Sequence, residues 1–175
     1  DTTHQHLLEL TETQQDFVFS EVTSAPISSL LRGFSAPVIL DYPLAASALS
    51  LLMCHDSDPY CRWDAGQRLA RLEILDTLNV LTTSCEPMIS ESFLRAFSQV
   101  LDVESEDPAF QALTLTLPEE AYLTEDLAVI DPVLLHRARA ATEHALAQHL
   151  EKQLTTKYHS LTTIAPYGRD SHSVG

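Results

Sequence analysis

The stretch Leu30–Leu69, LLRGFSAPVILDYPLAASALSLLMCHDSDPYCRWDAGQRL, is where the chain changes character. Up to Tyr42 the apolar residues suit strands. After Pro43 the pattern changes, and Leu49, Leu52 and Met53 in AASALSLLMCH fall at helical spacing. Within the stretch, Gly33 permits a bend and Pro37 can sit only where no ladder donor is needed, so Leu30–Leu40 reads as one interrupted strand.

Upstream of it, LLELT (7–11) and DFVFSEV (16–22) read as two further strands joined by the polar ETQQ, with Phe17 and Phe19 on one face. Three strands with apolar residues on both faces need a covering partner, and nothing later in the chain supplies a second sheet.

Downstream, the strongest signal is punctuation. Asp-Pro occurs at Asp58-Pro59, Asp107-Pro108 and Asp131-Pro132. Each sets an N-cap oxygen before a residue whose missing N–H costs nothing in the first turn, so each predicts a helix start. The first predicts a helix through Trp63, Leu69, Ile74 and Leu78. Another covers roughly Met88 to Leu101, with Ile89, Phe93, Phe97 and Val100 on one stripe.

Short helices are expected from Pro108 through Leu113 and from Pro118 to about Glu125. The longest follows Asp131 to about Leu161, burying a face of Leu135, Ala138, Thr142, Ala145, His149, Leu154, Tyr158 and Leu161. Its opposite face carries Arg137, Glu143, Gln148, Glu151 and Lys152. The tail TTIAPYGRDSHSVG reads as a loop or a frayed end. The expected fold is an α+β fragment: about three N-terminal strands followed by an irregular stack of helices.

Bulk properties narrow the function. The chain has 175 residues, 45% of them hydrophobic, enough for a packed core. Its net charge of −15 repels phosphate backbones and anionic lipid, which argues against nucleic acid and membrane partners. No apolar run approaches the length of a spanning helix, and no signal peptide is visible. Cys54, Cys61 and Cys85 form no CxxC pair, and a reducing cytoplasm is the expected compartment. A first residue of Asp rather than Met suggests a piece of something longer.

Candidate chemistry mostly dissolves on inspection. His144 and His149 are five apart and so lie on different helix faces, and HExxH is absent. In His55-Asp56-Ser57-Asp58, Asp58 reads as a helix cap, Asp56 as a solvated loop acid, and the nearby Cys54 and Cys61 as small packing residues. His4 and His6 read as exposed. Asp170, Ser171 and His172 are too close in sequence for a catalytic relay. Glycines at 33, 66, 168 and 175 cannot build a phosphate loop.

No catalytic, cofactor-binding or metal residue is therefore assigned. What remains is a set of structural anchors: Phe34, Pro43 and Trp63, with Arg62 and Asp64 expected to pair at the rim of the pocket that takes Trp63.

The segments LLELTETQQDFVF, SLLRGFSAPVILDY, HDSDPYCRWDAGQRLA and DPAFQALTLTLPEEAYL resemble, in order, the bacterial aminopeptidase N family, zinc-dependent metallopeptidases of the gluzincin group. The resemblance runs from about Leu7 to Tyr158, and PYGRDSHSVG resembles a loop before the family's next helix. It implies that residues 1–42 are the last part of an Ig-like β-sandwich domain and residues 43–175 the first part of a helical C-terminal domain. The partners implied are the remaining domains of the parent enzyme and its peptide substrates.

The family binds zinc through HExxH and a downstream glutamate, and holds the substrate amine with Gly-x-Met-Glu-Asn. No position here matches either motif, so the resemblance implies zinc in the parent and an inactive segment here. The alternative is an autonomous helical protein–protein interaction module. An upstream HExxH in the same reading frame would decide for the enzyme.

Overall fold

A computed structural model describes residues 5–83, 85–125, 127 and 129–162. Among them are six α-helices: α1 (Ala46–His55), α2 (Pro59–Thr82), α3 (Glu91–Asp102), α4 (Pro108–Thr114), α5 (Glu120–Leu123) and α6 (Pro132–Thr162). The helix starts follow local chemistry. Asp58 accepts from the Cys61 N–H, Asp107 from that of Phe110, and Asp131 from those of Val133 and Leu134, all at 2.9–3.0 Å. Ser90 caps α3 in the same way, and its own N–H and hydroxyl both donate to Glu73 of α2 at 2.7 Å.

The core lies between α1, α2, α3 and the middle of α6. Leu49, Leu52 and Met53 meet Leu69 and Ala70, Phe93, Phe97 and Val100 close the cluster, and Leu146 and Leu150 reach it from α6. The Phe93 and Phe97 rings lie 4.7 Å apart. A smaller cluster of Ile74, Leu123, Leu135 and Ala138 ties α5 and the start of α6 to α2. Gly66 lies where α1 and α4 meet α2: a Cβ there would stand 3.4 Å, an ordinary contact distance, from Met53 Cε and from the Thr114 carbonyl oxygen.

Buried side-chain amides tie the irregular connections to the helices. Gln111 Nε2 donates to the carbonyls of Val100 and Val103 at 2.7 and 2.9 Å, serving the open C-terminal end of α3. Gln67 does the same for Thr116 at 2.8 Å.

Two expectations need correction. Among the described residues there is no β-strand. Strands are made by ladder bonds to a neighbour, and residues 5–43 form none; within DFVFSEV, Glu21 is itself in the left-handed region at φ 63°. Leu30–Leu40 is not one extended run: a 3-10 turn, Arg32–Phe34, interrupts it, with Leu31, Gly33 and Phe34 all in the left-handed region.

The second correction concerns α6. Leu135, Ala138 and Thr142 are buried as expected, but beyond Ala145 the buried line continues through Leu146 and Leu150. His149, Leu154, Tyr158 and Leu161 are exposed. The side facing α3 takes polar partners instead: Gln153 bonds Ser98 and Asp102, and Lys157 Nζ donates to the Val103 carbonyl. Met88 lies outside α3 and is 92% exposed. The loop reading of the tail from Thr163, and the readings at His4 and Asp170–His172, fall outside the described residues.

Candidate functional site

The place where the N-terminal segment meets the helices carries the densest set of long-range polar contacts. It is built on the α1–α2 turn, His55-Asp56-Ser57-Asp58. The turn exists because α1 ends at His55 while Asp58-Pro59 restarts a helix only four residues later. Both acids therefore point their oxygens at whatever lies beside the turn.

What lies beside it is Ser29–Phe34. Arg32 Nη1 donates to Asp56 Oδ1 at 2.6 Å and to Ser29 Oγ at 3.0 Å, and Nη2 donates to Ser57 Oγ at 2.7 Å. The Gly33 N–H donates to Asp58 Oδ2 at 2.8 Å, so one carboxylate caps α2 and holds the segment. Cys61 Sγ donates to the Leu30 carbonyl at 3.3 Å.

The Asp56 side chain is only 3% exposed, which overturns its reading as a solvated loop acid. Burial pushes its carboxyl up, but hydrogen bonds from Ser29, the Asp58 N–H and Arg32, together with the guanidinium charge, outweigh this and hold it below the usual range. Burial also pushes the Cys61 thiol up to about 11.

These bonds offset strain. Leu31 and Phe34 hold φ of 56° and 53°, each costing roughly 1 kcal/mol or more for a residue with a Cβ. A hydrogen bond to a charged group contributes about 1.5–3 kcal/mol, so the Arg32 and Asp58 contacts are of the size needed to keep the segment there.

The expected anchors are brought to this neighbourhood. Phe34 packs edge-on against Tyr60 at 5.3 Å, and Tyr60 lies 6.1 Å from Trp63, which is half-buried on the second turn of α2. Arg62 and Asp64 do not pair with each other. Arg62 Nε donates to the Met53 carbonyl at the end of α1 at 3.3 Å, and its guanidinium lies 5.9 Å above the Phe110 ring. Asp64 pairs with Arg68 at 3.7 Å, and Arg68 also donates to the Tyr42 carbonyl. Pro43 is exposed and follows that carbonyl directly.

Arg32, Ser29, Ser57 and Arg68 were missed by sequence reasoning. The partners of Arg32, Ser57 and Arg68 lie 24 to 26 residues away, and only the acceptor-rich Asp-Ser-Asp hinted at them.

A cavity of about 20 Å³ lies under the segment, lined by Ser29, Leu30, Tyr42, Cys61 and Arg68 among others. That is room for about one water and for no part of a peptide. Among the described residues no group of three or more His, Cys, Asp or Glu could hold a metal ion. The residues present do not fit a zinc site. No helix among them is long and apolar enough to cross a membrane. The arrangement holds the N-terminal segment to the helices.

Helices packed side by side around α2, with short irregular links, fit a stacked-helix architecture, and residues 46–175 match the domain of unknown function DUF3458_C, described as ARM repeats. The chain belongs to this family. It is homologous to the C-terminal region of bacterial aminopeptidase N: 36% identical over 156 residues to the Escherichia coli protein, 31% over 166 to that of Caulobacter vibrioides and 34% over 152 to that of Haemophilus influenzae. These alignments cover 87–95% of the chain but only 18–19% of the relatives, so the chain spans about a fifth of their length.

The crystal structure of Legionella pneumophila aminopeptidase A in complex with aspartic acid is similar at a TM-score of 0.72 and 26% identity, covering 87% of this chain and 18% of that one. Residues 1–43 match DUF3458, described as an Ig-like fold.

Proposed function

We propose that the chain is a non-catalytic segment of a zinc-dependent, cytoplasmic aminopeptidase N-like enzyme that removes N-terminal amino acids from peptides. Its role is to join the end of an Ig-like sandwich, residues 1–42, to the start of a helical domain, residues 43–175, and to help build the wall around the peptide entry. The observation that carries this is identity of 31–36% to aminopeptidase N over nearly the whole chain.

Two further features support it. The two family matches meet between residues 43 and 46, beside Tyr42 and Pro43. The contacts of Arg32, Arg68 and Phe34 also tie one side of that boundary to the other. On this reading the zinc and amine-binding groups belong to other parts of the parent, and Phe34, Pro43, Trp63, Arg62 and Asp64 serve as anchors.

The test is an aminoacyl-anilide assay on the purified chain, with and without added zinc. No turnover above background is expected. Turnover that a chelator abolishes would overturn the proposal.

A further inference from the structure

We infer that Arg32 and the α1–α2 turn form a latch that holds a strained strap, residues 29–34, in one of two conformations, and that this latch opens without unfolding the helices. The inference stands on contacts within the chain and does not depend on the parent-enzyme reading.

Three observations converge on it. The strap packs three left-handed residues, Leu31, Gly33 and Phe34, into four positions, an arrangement that a free chain leaves. Its fixings to the helices sit on the α1–α2 turn and the start of α2: the Arg32 fork onto Asp56 and Ser57, the Gly33 N–H on Asp58, Cys61 on the Leu30 carbonyl, and the Phe34 ring against Tyr60. The helical core has a separate basis, because its buried residues come from α1, α2, α3, α6 and Leu117 and none from the strap.

Strain held by a small set of polar bonds, beside a core that does not use it, is the composition of a bistable element. Released, Leu31 and Phe34 relax to ordinary backbone and the Phe34 ring leaves Tyr60. The strap is thus a local hinge at the base of the N-terminal segment, and Arg32 is its positioning residue.

Amide hydrogen exchange followed by NMR on the whole chain tests this. Arg32→Met keeps the length of the side chain and removes the fork. The Gly33 amide is expected to exchange about tenfold faster or more, while core amides of α3 and α6, at Phe97 and Leu146, keep their protection. Arg32→Lys can reach Asp56 but not Asp56 and Ser57 together, so its Gly33 rate is expected between wild type and Arg32→Met. Ser57→Ala, which leaves no charge unpaired, is expected to accelerate Gly33 by a smaller factor than Arg32→Met.

Unchanged Gly33 exchange in Arg32→Met would overturn the latch. So would an equal loss of protection in the strap and in α3 and α6, or global unfolding of the variant, since strap and core would then be one cooperative unit.

Discussion

At the scale of single residues, the groups that matter most are polar and aimed at backbone. Gln111 serves three carbonyls near the end of α3 with one buried amide. Gln111→Leu is expected to cost about 1–3 kcal/mol in urea unfolding, because those acceptors stay buried without their donor. Gly66 should respond in the opposite sense. The Cβ of Gly66→Ala would meet Met53 and Thr114 at ordinary contact distance inside a helix, so that substitution is expected to raise stability by up to about 1 kcal/mol. The thiols separate by burial: Cys85 is exposed, Cys54 half-buried with its pKa raised first by desolvation and partly lowered by Arg62, and Cys61 buried and raised to about 11. A thiol reagent at neutral pH should modify Cys85 first and Cys61 last, read by mass spectrometry. Little of this was legible in the sequence. A glutamine or cysteine announces its chemistry but not its neighbours, and Gln111 reads as an ordinary polar residue of a short helix until α3 ends beside it.

At the scale of elements, helix starts were legible because an Asp-Pro cap acts within three residues of itself. Asp58, Asp107 and Asp131 all behave as their letters predict. The second half of α6 was not, because the buried line there is chosen by where α3 lies, and α3 offers Ser98 and Asp102 to Gln153 in place of an apolar stripe. The strands were read from a true alternation, but alternation gives the faces of a strand and not its partner, and residues 5–43 contain no ladder. The strap was hidden for the same reason, since Arg32 and Asp56 are 24 residues apart. Elements also set the acid response. The folded Asp56 carboxyl lies below its unfolded value of about 3.9, so its contribution is fully present above roughly pH 4–5 and is lost as pH falls through the folded value. In Asp56→Asn that part of the acid dependence should vanish, giving a flatter plot of stability against pH below about 4 and lower stability at neutral pH. The caps should rank as well: Asp107→Ala removes a cap alone and should cost about 1 kcal/mol, whereas Asp58→Ala also frees the Gly33 N–H and should cost more.

At the scale of the whole molecule, two opposing forces act on the same surface. The charge of −15 keeps copies apart, while the N-terminal segment exposes Leu7 by 85%, Val18 by 91% and Ile39 by 101%. Side chains so open contribute almost nothing to the core, and exposed apolar residues clustered on one segment offer a contact surface to a second copy. Repulsion between acidic surfaces reaches about 30 Å at 0.01 M salt but only about 8 Å at 0.15 M. Self-association should therefore be weak at low ionic strength and should grow as salt screens the charge, measured by sedimentation velocity over a concentration series. The double substitution Val18→Lys and Ile39→Lys should suppress the association at 0.15 M salt. Because both positions are exposed, it should move the unfolding free energy by no more than about 0.5 kcal/mol. A monomer at every salt concentration would show that the exposed segment does not recruit a second copy. Association that survives both lysines would place the contact on other exposed apolar residues, among them Leu7 and Leu10 of the same segment and Leu154, Tyr158 and Leu161 of α6.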